Sequence, residues 1–250
     1  MPLIETECVV LKTYNLAEAD RIVVLLTRDH GLVRGVAKGA KRLKSKFGSA
    51  LEPYSVVTAT YFEKDSVELV SIQQIDLVQS SFAAAGNPHF LQKFSYLTEL
   101  VIATLPPHDP NETLYRMVKA CIETAMADGG TIDAVAVYFA LWLLRLSGYM
   151  PDWNICEVCS RPFAESESAA LVSSFQLACL RCRSASVREI DASMRSIVIA
   201  ARRLTPPQFS AFSSASSESL STLSVVMRQI ISHSIGRQLP GEVSLAGEIR

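Results

Sequence analysis

Four cysteines constrain the fold of this chain more than any other sequence feature. They are spaced as C-x2-C-x19-C-x2-C, at Cys156, Cys159, Cys179 and Cys182. This spacing lies within the range of four-cysteine zinc sites, in which each C-x2-C pair forms a tight turn that directs both sulfurs to one tetrahedral ion. Residues 151–188 are therefore predicted to fold back on themselves, so that the two pairs meet at one zinc ion.

This zinc ion is expected to be structural, with one ion per chain. Four protein ligands leave no open position for water or substrate. A redox C-x2-C would lie where a strand leads into a helix, and neither pair has that context. No histidine is followed two positions later by glutamate, so the H-x-E element of zinc deaminases is missing from the sequence.

The composition of the chain, and cysteines spaced for a metal rather than for disulfides, predict a folded cytoplasmic protein. The chain has 250 residues, 49% hydrophobic and 20% charged, which is enough for one large domain or two to three small ones. Its start, MPLIETECVV, lacks the pattern of a secretory signal, and no apolar run is expected to reach the roughly 20 residues of a membrane span. Cys8 and Cys121 are expected to be buried as small hydrophobic residues.

Residues 1–80 have the pattern of a small β-barrel. Five segments rich in Val, Ile, Thr and aromatic residues are separated by charged or turn-type residues, at 6–14, 21–28, 31–38, 54–63 and 67–78. Five short strands favour the five-stranded oligonucleotide-binding barrel (OB-fold), although an SH3-like barrel has a similar signature.

From about residue 81 the apolar residues recur with helical spacing. Asp109 is a candidate N-cap of a second helix, with Pro110 in its first turn, and Asp191 is a candidate cap after the cysteine region. The serine-rich segment 210–219 is expected to be a loop before a last helix whose inner face comprises Leu220, Leu223, Val226, Met227, Ile230 and Ile231.

The prediction is an α+β multidomain protein, with an N-terminal five-stranded OB-fold barrel followed by an all-α domain that carries a four-cysteine zinc knuckle. The expected limits are 1–80 for the barrel, 81–150 and 189–240 for the helical domain, 151–188 for the zinc-binding insertion and 241–250 for a C-terminal tail.

The segment 34–46 contains six cations and no acid, in a chain of formal net charge −1. Blocks of like charge usually belong to exposed segments. At a barrel rim such a segment suits a nucleic-acid backbone, and nearby aromatic residues can offer faces for base stacking. Phe47 and Tyr54 are close enough in sequence for this, although each alone is better explained as a core residue. The predicted DNA-binding residues are Arg34, Lys38, Lys41, Arg42, Lys44, Lys46 and Phe47.

No motif in the sequence supports an enzyme. It has neither the G-x-x-x-x-G-K-[ST] phosphate loop nor the G-x-S-x-G elbow, and the glycines at 31, 35 and 39 are too weak a pattern for a nucleotide site. Between Cys156 and Arg183 three arginines balance three glutamates. The zinc region is therefore expected to stiffen the helical domain or contact protein rather than bind phosphate.

The whole arrangement resembles the RecO family of recombination mediators in DNA repair. The resemblance covers nearly the whole chain and is carried by GLVRGVAKGAKRLKSKFGSALEPYS at 31–55, by LWLLRLSGYMPDWNICEVC at 141–159 and by the second C-x2-C at 179–182. The chain departs from the family just before that second pair, where it reads SSFQLACLRC and the family usually has two glycines.

The resemblance implies an OB-fold that binds single- and double-stranded DNA, and annealing of complementary strands without ATP. It also implies a nucleoid-associated protein of the RecF pathway type that helps load RecA, together with RecR, onto strands coated by single-strand-binding protein. The acidic tail of single-strand-binding protein is expected to dock on the helical domain, where Arg145, Arg202 and Arg203 are candidates by charge. The alternative is a zinc-stabilised scaffold or transcription-type adaptor that binds only proteins; an enzyme ranks third.

Overall fold

The structure is a computed structural model that describes residues 2–63, 69–172, 175–183 and 186–235. The chain forms two compact units, of which the first contains Met1–Gly129 and the second Gly130–Ala246. The helices that directly follow the barrel thus belong to the same unit as the barrel. The domain limits expected from the sequence stay predictions, and the expected tail at 241–250 lies outside the described residues.

The first unit begins with the predicted five-stranded barrel. Its strands are β1 (Leu3–Leu16), β2 (Asp20–Thr27), β3 (Leu32–Ala37), β4 (Val56–Phe62) and β5 (Val70–Gln79). They close in the order β1-β2-β3-β5-β4, which is the strand order of the OB-fold. The pairing of β3 with β5 is parallel and the other four pairings are antiparallel.

The barrel closes at Gly35 of β3. Gly35 pairs with Val70, and Val36 pairs with Ser71. A Cβ atom at Gly35 would lie 2.6 Å from the side chain of Ile72, so glycine permits β3 to approach β5 this closely. The enclosed core consists mostly of Val, Leu and Ile side chains, and it also contains Cys8, Phe47 and Tyr61.

Three helices complete the first unit: α1 (Phe82–Ala85), α2 (Pro88–Thr104) and α3 (Glu112–Ala127). The apolar spacing predicts a stripe of Phe90, Phe94, Leu97, Val101 and Leu105. The first four are buried in α2, whereas Leu105 is its half-buried C-cap. The cap of α2 is Asn87, whose side-chain oxygen accepts hydrogen bonds from the first turn of the helix.

The N-cap of α3 is Asn111, and the prediction of Asp109 is wrong. The Asn111 side chain accepts a hydrogen bond from the backbone N–H of Leu114 at 2.9 Å. The helix cannot begin earlier because the preceding backbone lies against β3. The N–H of His108 donates to the carbonyl of Leu32 at 3.1 Å. Long-range backbone pairing therefore overrides the local capping pattern.

Glu7 of β1 attaches α3 to the barrel. The hydroxyl of Tyr115 donates to Glu7 Oε1 at 2.6 Å, and Lys119 Nζ donates to the same oxygen at 2.9 Å. The hydrogen bond from Tyr115, followed by that from Lys119, lowers the pKa of Glu7, because both favour the ionised carboxylate. Burial, more than any other factor, raises the pKa of Tyr115. Its hydroxyl therefore stays protonated and donates this hydrogen bond.

The second unit consists of helices around a small sheet. Its helices are α4 (Ile132–Leu146), α5 (Ala192–Ala201), α6 (Pro206–Ser213) and α7 (Ser217–Ile235). Its strands are β6 (Ala169–Val172), β7 (Leu177–Ala178) and β8 (Ser186–Ile190), in the order β7-β6-β8. The helices α5 and α7 agree with the sequence pattern, whereas no strand was predicted in this region. Asp191 caps α5 as predicted, by accepting a hydrogen bond from the N–H of Met194 at 2.7 Å.

The serine-rich segment 210–219 is helical, so the prediction of a loop is wrong. It comprises the end of α6, the short 3-10 helix Ser214–Ser216 and the start of α7. A capping box formed by Thr205 and Gln208 starts α6 upstream of the serines. The predicted inner face of α7, from Leu220 to Ile231, is confirmed as buried.

The segment Gly129–Leu146, which contains α4, is apolar over its 18 residues, with mean hydropathy 1.4. By length and composition alone this segment is long and apolar enough to cross a membrane. This finding corrects the expectation that no apolar run approaches the length of a membrane span. Within the structure 56% of the segment is buried inside the protein, as is typical of a core helix.

We predict that Tyr115→Phe destabilises the first unit by about 1–2 kcal/mol at pH 7, because Glu7 loses a hydrogen bond to a charged group. The folded pKa of Glu7 is depressed, so this stabilisation is present above the unfolded pKa of about 4.3 and is lost as the pH falls through the lower folded value. Denaturant unfolding at several pH values measures the difference between parent and variant.

Glu7→Gln provides the control for this prediction. In that background the substitution of Tyr115 should cost less, and its cost should not depend on pH, since the titrating partner is gone. A cost that is the same in both backgrounds would show that Tyr115 acts through packing alone.

Candidate nucleic-acid interface and metal centre

The predicted DNA-binding cations lie on β3 and on the connection from β3 to β4. Arg34 lies on β3 and is half-buried. The others are exposed and follow the end of β3: Lys38, Lys41, Arg42, Lys44 and Lys46. We call residues 38–46 the basic segment. Its charges face solvent, as the sequence analysis expected.

Hydrogen bonds hold the first half of the basic segment against the turn between β1 and β2. Gly39 has a φ of +71°, and its N–H donates to the Asp20 carboxylate at 2.8 Å. The backbone N–H of Lys41 donates to the carbonyl of Ala19 at 2.9 Å. The side chain of Lys41 donates to the carbonyl of Ala17 at 3.2 Å. The path of the backbone is thus defined although its side chains are exposed.

The second half of the basic segment turns back to the barrel. The N–H of Ser45 donates to the carbonyl of Arg42 at 2.9 Å, which closes a turn. The ammonium group of Lys46 donates to the carbonyl of Gln73 on β5. It also lies 5.1 Å from the centroid of the Phe47 ring, a cation–π contact.

Phe47 and Tyr54 are core residues in this structure. The side chain of Phe47 is 3% exposed and lies in the barrel core. Tyr54 is 5% exposed and packs edge-on against Phe90 and Phe94, with ring centroids 5.4 and 5.8 Å apart. Neither ring presents a face to a base, so Phe47 drops out of the predicted set of DNA contacts. The core interpretation of both rings agrees with the structure.

The four predicted cysteine ligands come together in the second unit. Their Sγ atoms all lie within 4.8 Å of one another, and those of Cys159 and Cys179 are 4.0 Å apart. A tetrahedral zinc ion with Zn–S bonds of about 2.3 Å holds its sulfurs about 3.8 Å apart. The cluster therefore fits a zinc ion after a small contraction. Cys8 and Cys121 are fully buried elsewhere, as expected.

Backbone hydrogen bonds shape both cysteine turns. The N–H of Cys179 donates to Cys156 Sγ at 3.2 Å, which joins the two pairs. The N–H of Ser160 donates to the carbonyl of Cys156 at 2.7 Å, and the N–H of Arg183 donates to that of Cys179 at 3.0 Å. Phe175, which precedes the second cysteine pair, adopts a left-handed φ of +59°, and the four cysteines still come together.

The cluster favours the thiolate at Cys179. Burial raises the pKa of this thiol, but hydrogen bonds from the Cys182 side chain and from the backbone of Cys182 and Arg181 outweigh that effect and lower the pKa to about 6. The same side-chain hydrogen bond raises the pKa of its donor, Cys182, to about 12, so metal binding must release a proton from Cys182.

Arg161 supplies positive charge beside the cysteines. Its guanidinium group forms a forked pair with Glu167, with Nη1 to Oε2 at 2.9 Å, and a further hydrogen bond joins it to Cys179. The same pair lowers the pKa of Glu167 to about 2. The sequence shows that these charges balance but carries no signal for this pairing.

Arg195 joins the cysteine region to α5, and sequence reasoning missed it. Its side chain is 3% exposed and donates hydrogen bonds to the carbonyls of Trp153, Ala164 and Glu167, at 2.7 to 3.2 Å. Its guanidinium also lies 4.7 Å from the ring centroid of Phe163. An arginine within the apolar run MRSIVIAA was the available signal.

A cavity of about 250 Å³ lies between α4, α5 and residues 150–154. Both tryptophans of the chain, Trp142 and Trp153, line it, as do Arg145 and Arg202. The guanidinium of Arg145 lies 5.3 Å from the Trp142 ring centroid. Arg203 is exposed and does not line the cavity. Two of the three arginines selected by charge thus share a site with aromatic walls.

Comparison with known proteins identifies relatives along the chain. The recombination protein O N-terminal family model matches residues 1–81, and the recombination protein O C-terminal model matches residues 94–242. A Koribacter versatilis protein is 34% identical over 62% of this chain and 63% of its own length. A Bifidobacterium adolescentis protein is 34% identical over 67% and 68%, respectively. Both are named DNA repair protein RecO. The alignment thus covers slightly less than two thirds of the first relative.

We predict that protein purified without chelators contains one zinc ion per chain, and that Cys156→Ala contains almost none. Structural zinc contributes roughly 10–16 kcal/mol in finger peptides, so its loss should also increase hydrogen exchange in residues 151–190. Elemental analysis and hydrogen exchange measure the two effects.

Cys121→Ala is the matched control, because Cys121 is as buried as Cys156 but lies outside the cluster. It should retain one zinc ion. Equal metal content in the two variants, or far less than one zinc ion in the parent, would contradict the assignment of the site.

Proposed function

This chain belongs to the recombination protein O family, and from that premise we propose that it is a DNA-binding recombination mediator in DNA repair. The observation that carries the proposal is the basic segment on the OB-fold barrel. Five exposed cations follow one another there without an acidic residue between them. Such a segment binds the phosphate backbone of single- or double-stranded DNA without reading its sequence.

The proposed activity is annealing of complementary strands without ATP. Two DNA strands repel each other through their phosphates, and cations that neutralise those phosphates reduce the repulsion. The sequence has no phosphate loop that would use a nucleotide. The protein would thus act by binding rather than as an enzyme, in the cytoplasm and in association with the nucleoid.

The proposed protein partners are RecR, single-strand-binding protein and, indirectly, RecA. The cavity in the second unit supports docking of an acidic peptide tail. Its arginines match the carboxylates of such a tail, and its tryptophan walls can pack against apolar parts of the peptide. The protein would in this way reach strands that are already coated by single-strand-binding protein.

The four-cysteine site is proposed to hold one structural zinc ion. Cys156, Cys159, Cys179 and Cys182 would fill its coordination sphere. The metal would stiffen residues 151–183 without taking part in a reaction. The competing candidate, a scaffold that binds only proteins, would share this zinc site but would lack affinity for DNA.

We predict that reversing three charges of the basic segment, in a Lys41→Glu, Arg42→Glu, Lys44→Glu variant, lowers affinity for single-stranded DNA by at least about tenfold at low salt. Annealing should fall with it. The barrel fold and the zinc content should not change, because these side chains are exposed and the one hydrogen bond lost, from Lys41 to the carbonyl of Ala17, lies at the surface. Fluorescence anisotropy with a labelled oligonucleotide measures the affinity.

A pair of single variants controls for net charge. Arg42→Glu and Arg116→Glu change it equally, but Arg116 is an exposed residue of α3, outside the basic segment. Only Arg42→Glu should weaken binding. If the triple variant binds like the parent, the basic segment only keeps the protein soluble and the scaffold becomes the better explanation.

We further predict that a peptide with the acidic tail sequence of single-strand-binding protein changes the intrinsic fluorescence of the protein, because both tryptophans line the cavity. Arg202→Glu should weaken this binding about tenfold or more through loss of an ion pair and added repulsion. Arg203→Glu, at the next position but outside the cavity, should bind like the parent. Equal effects of the two variants would show that the peptide binds through general surface charge rather than in the cavity.

A further inference from the structure

Leu43 is an exposed apolar side chain in the middle of the basic segment. Its relative exposure is 103%, compared with 75% for Phe82, the next most exposed large hydrophobic residue in the described part of the chain. Within residues 38–46 the other apolar side chain is Ala40, which packs against the barrel core. Leu43 therefore contributes nothing to the barrel core.

The position of Leu43 is defined by its neighbours. The backbone is held before it at Lys41, which donates to Ala19, and the turn around it is closed by Ser45, which donates to Arg42. Exposed cations precede and follow Leu43, at positions 41, 42, 44 and 46. The basic segment thus presents one leucine at the apex of a turn, surrounded by positive charge.

We propose that Leu43 contacts unstacked bases of single-stranded DNA while the flanking cations hold the phosphates. Cations alone hold a strand by its backbone. The two aromatic rings nearest to the basic segment in the sequence, Phe47 and Tyr54, are buried, so Leu43 is the apolar side chain that residues 38–46 offer to the bases. Leucine is among the apolar residues that proteins place between or against bases. This inference rests on the proposed DNA-binding function and adds a residue that favours single strands over duplexes.

The preference for single strands follows from the accessibility of bases. In a duplex the base faces are stacked, and an apolar side chain gains contact only if the stack opens. In a single strand the bases unstack easily. Leu43 would therefore add to single-strand affinity without changing the salt dependence, since it carries no charge.

The test compares Leu43→Ser with the parent on three probes: a single-stranded oligonucleotide, the duplex of the same length and an abasic strand that has phosphates but no bases. We expect Leu43→Ser to lose about three- to tenfold in affinity for the single strand at every salt concentration. Binding to the duplex and to the abasic strand should equal that of the parent. Leu43→Phe should restore single-strand affinity, because its ring can stack on a base.

Phe82→Ser serves as the matched control, since it removes another exposed apolar side chain of the first unit and should bind all three probes like the parent. If Leu43→Ser also weakens abasic and duplex binding equally, or leaves single-strand binding unchanged, the inference is wrong. The proposed function is judged separately by charge reversal: it stands if the triple variant loses DNA binding and fails if that variant binds like the parent, whatever Leu43 does.

Discussion

Burial of Phe47 in the barrel is the contact on which the position of the basic segment depends. A run of like charges has no tendency to fold, because its members repel one another and none of them can be buried. The barrel closes at Gly35, just before the segment begins, and Phe47 enters the core just after it ends. Full burial of such a side chain contributes about 1.5–3 kcal/mol, which offsets part of the cost of ordering the segment. The chain thus uses a buried aromatic residue to anchor the end of its basic segment.

A comparable contact organises the second unit. Arg195 is buried and donates to the carbonyl of Trp153, which lines the cavity. The cysteine turns begin at Cys156, three residues further along the chain, so the four-cysteine cluster and the arginine together determine the path of one cavity wall. In the proposed function this gives the zinc ion an indirect role, because loss of the metal would loosen the cavity without removing any of its arginines.

Much of this arrangement could be predicted from the sequence, where the signal was local. Apolar spacing located the barrel strands, and ligand spacing identified the cysteine cluster. Some errors arose where distant contacts decided the outcome, whereas the serine-rich segment was wrongly predicted as a loop although its capping box, Thr205 with Gln208, is a local signal. Asp109 has the local features of a cap, but pairing of His108 with Leu32 moves the helix start to Asn111. The carbonyl partners of Arg195 lie far away in the sequence, so the apolar run around this arginine could signal its burial but not its contacts.

The most direct test of the account is the salt dependence of binding to single-stranded DNA. If three to five cations of the basic segment contact phosphates, a plot of log affinity against log salt concentration should have a slope of about −2 to −3.5, at roughly 0.7 per contact. A titration of the purified protein across a salt series measures it. A slope near zero, or no measurable affinity at low salt, would contradict the account.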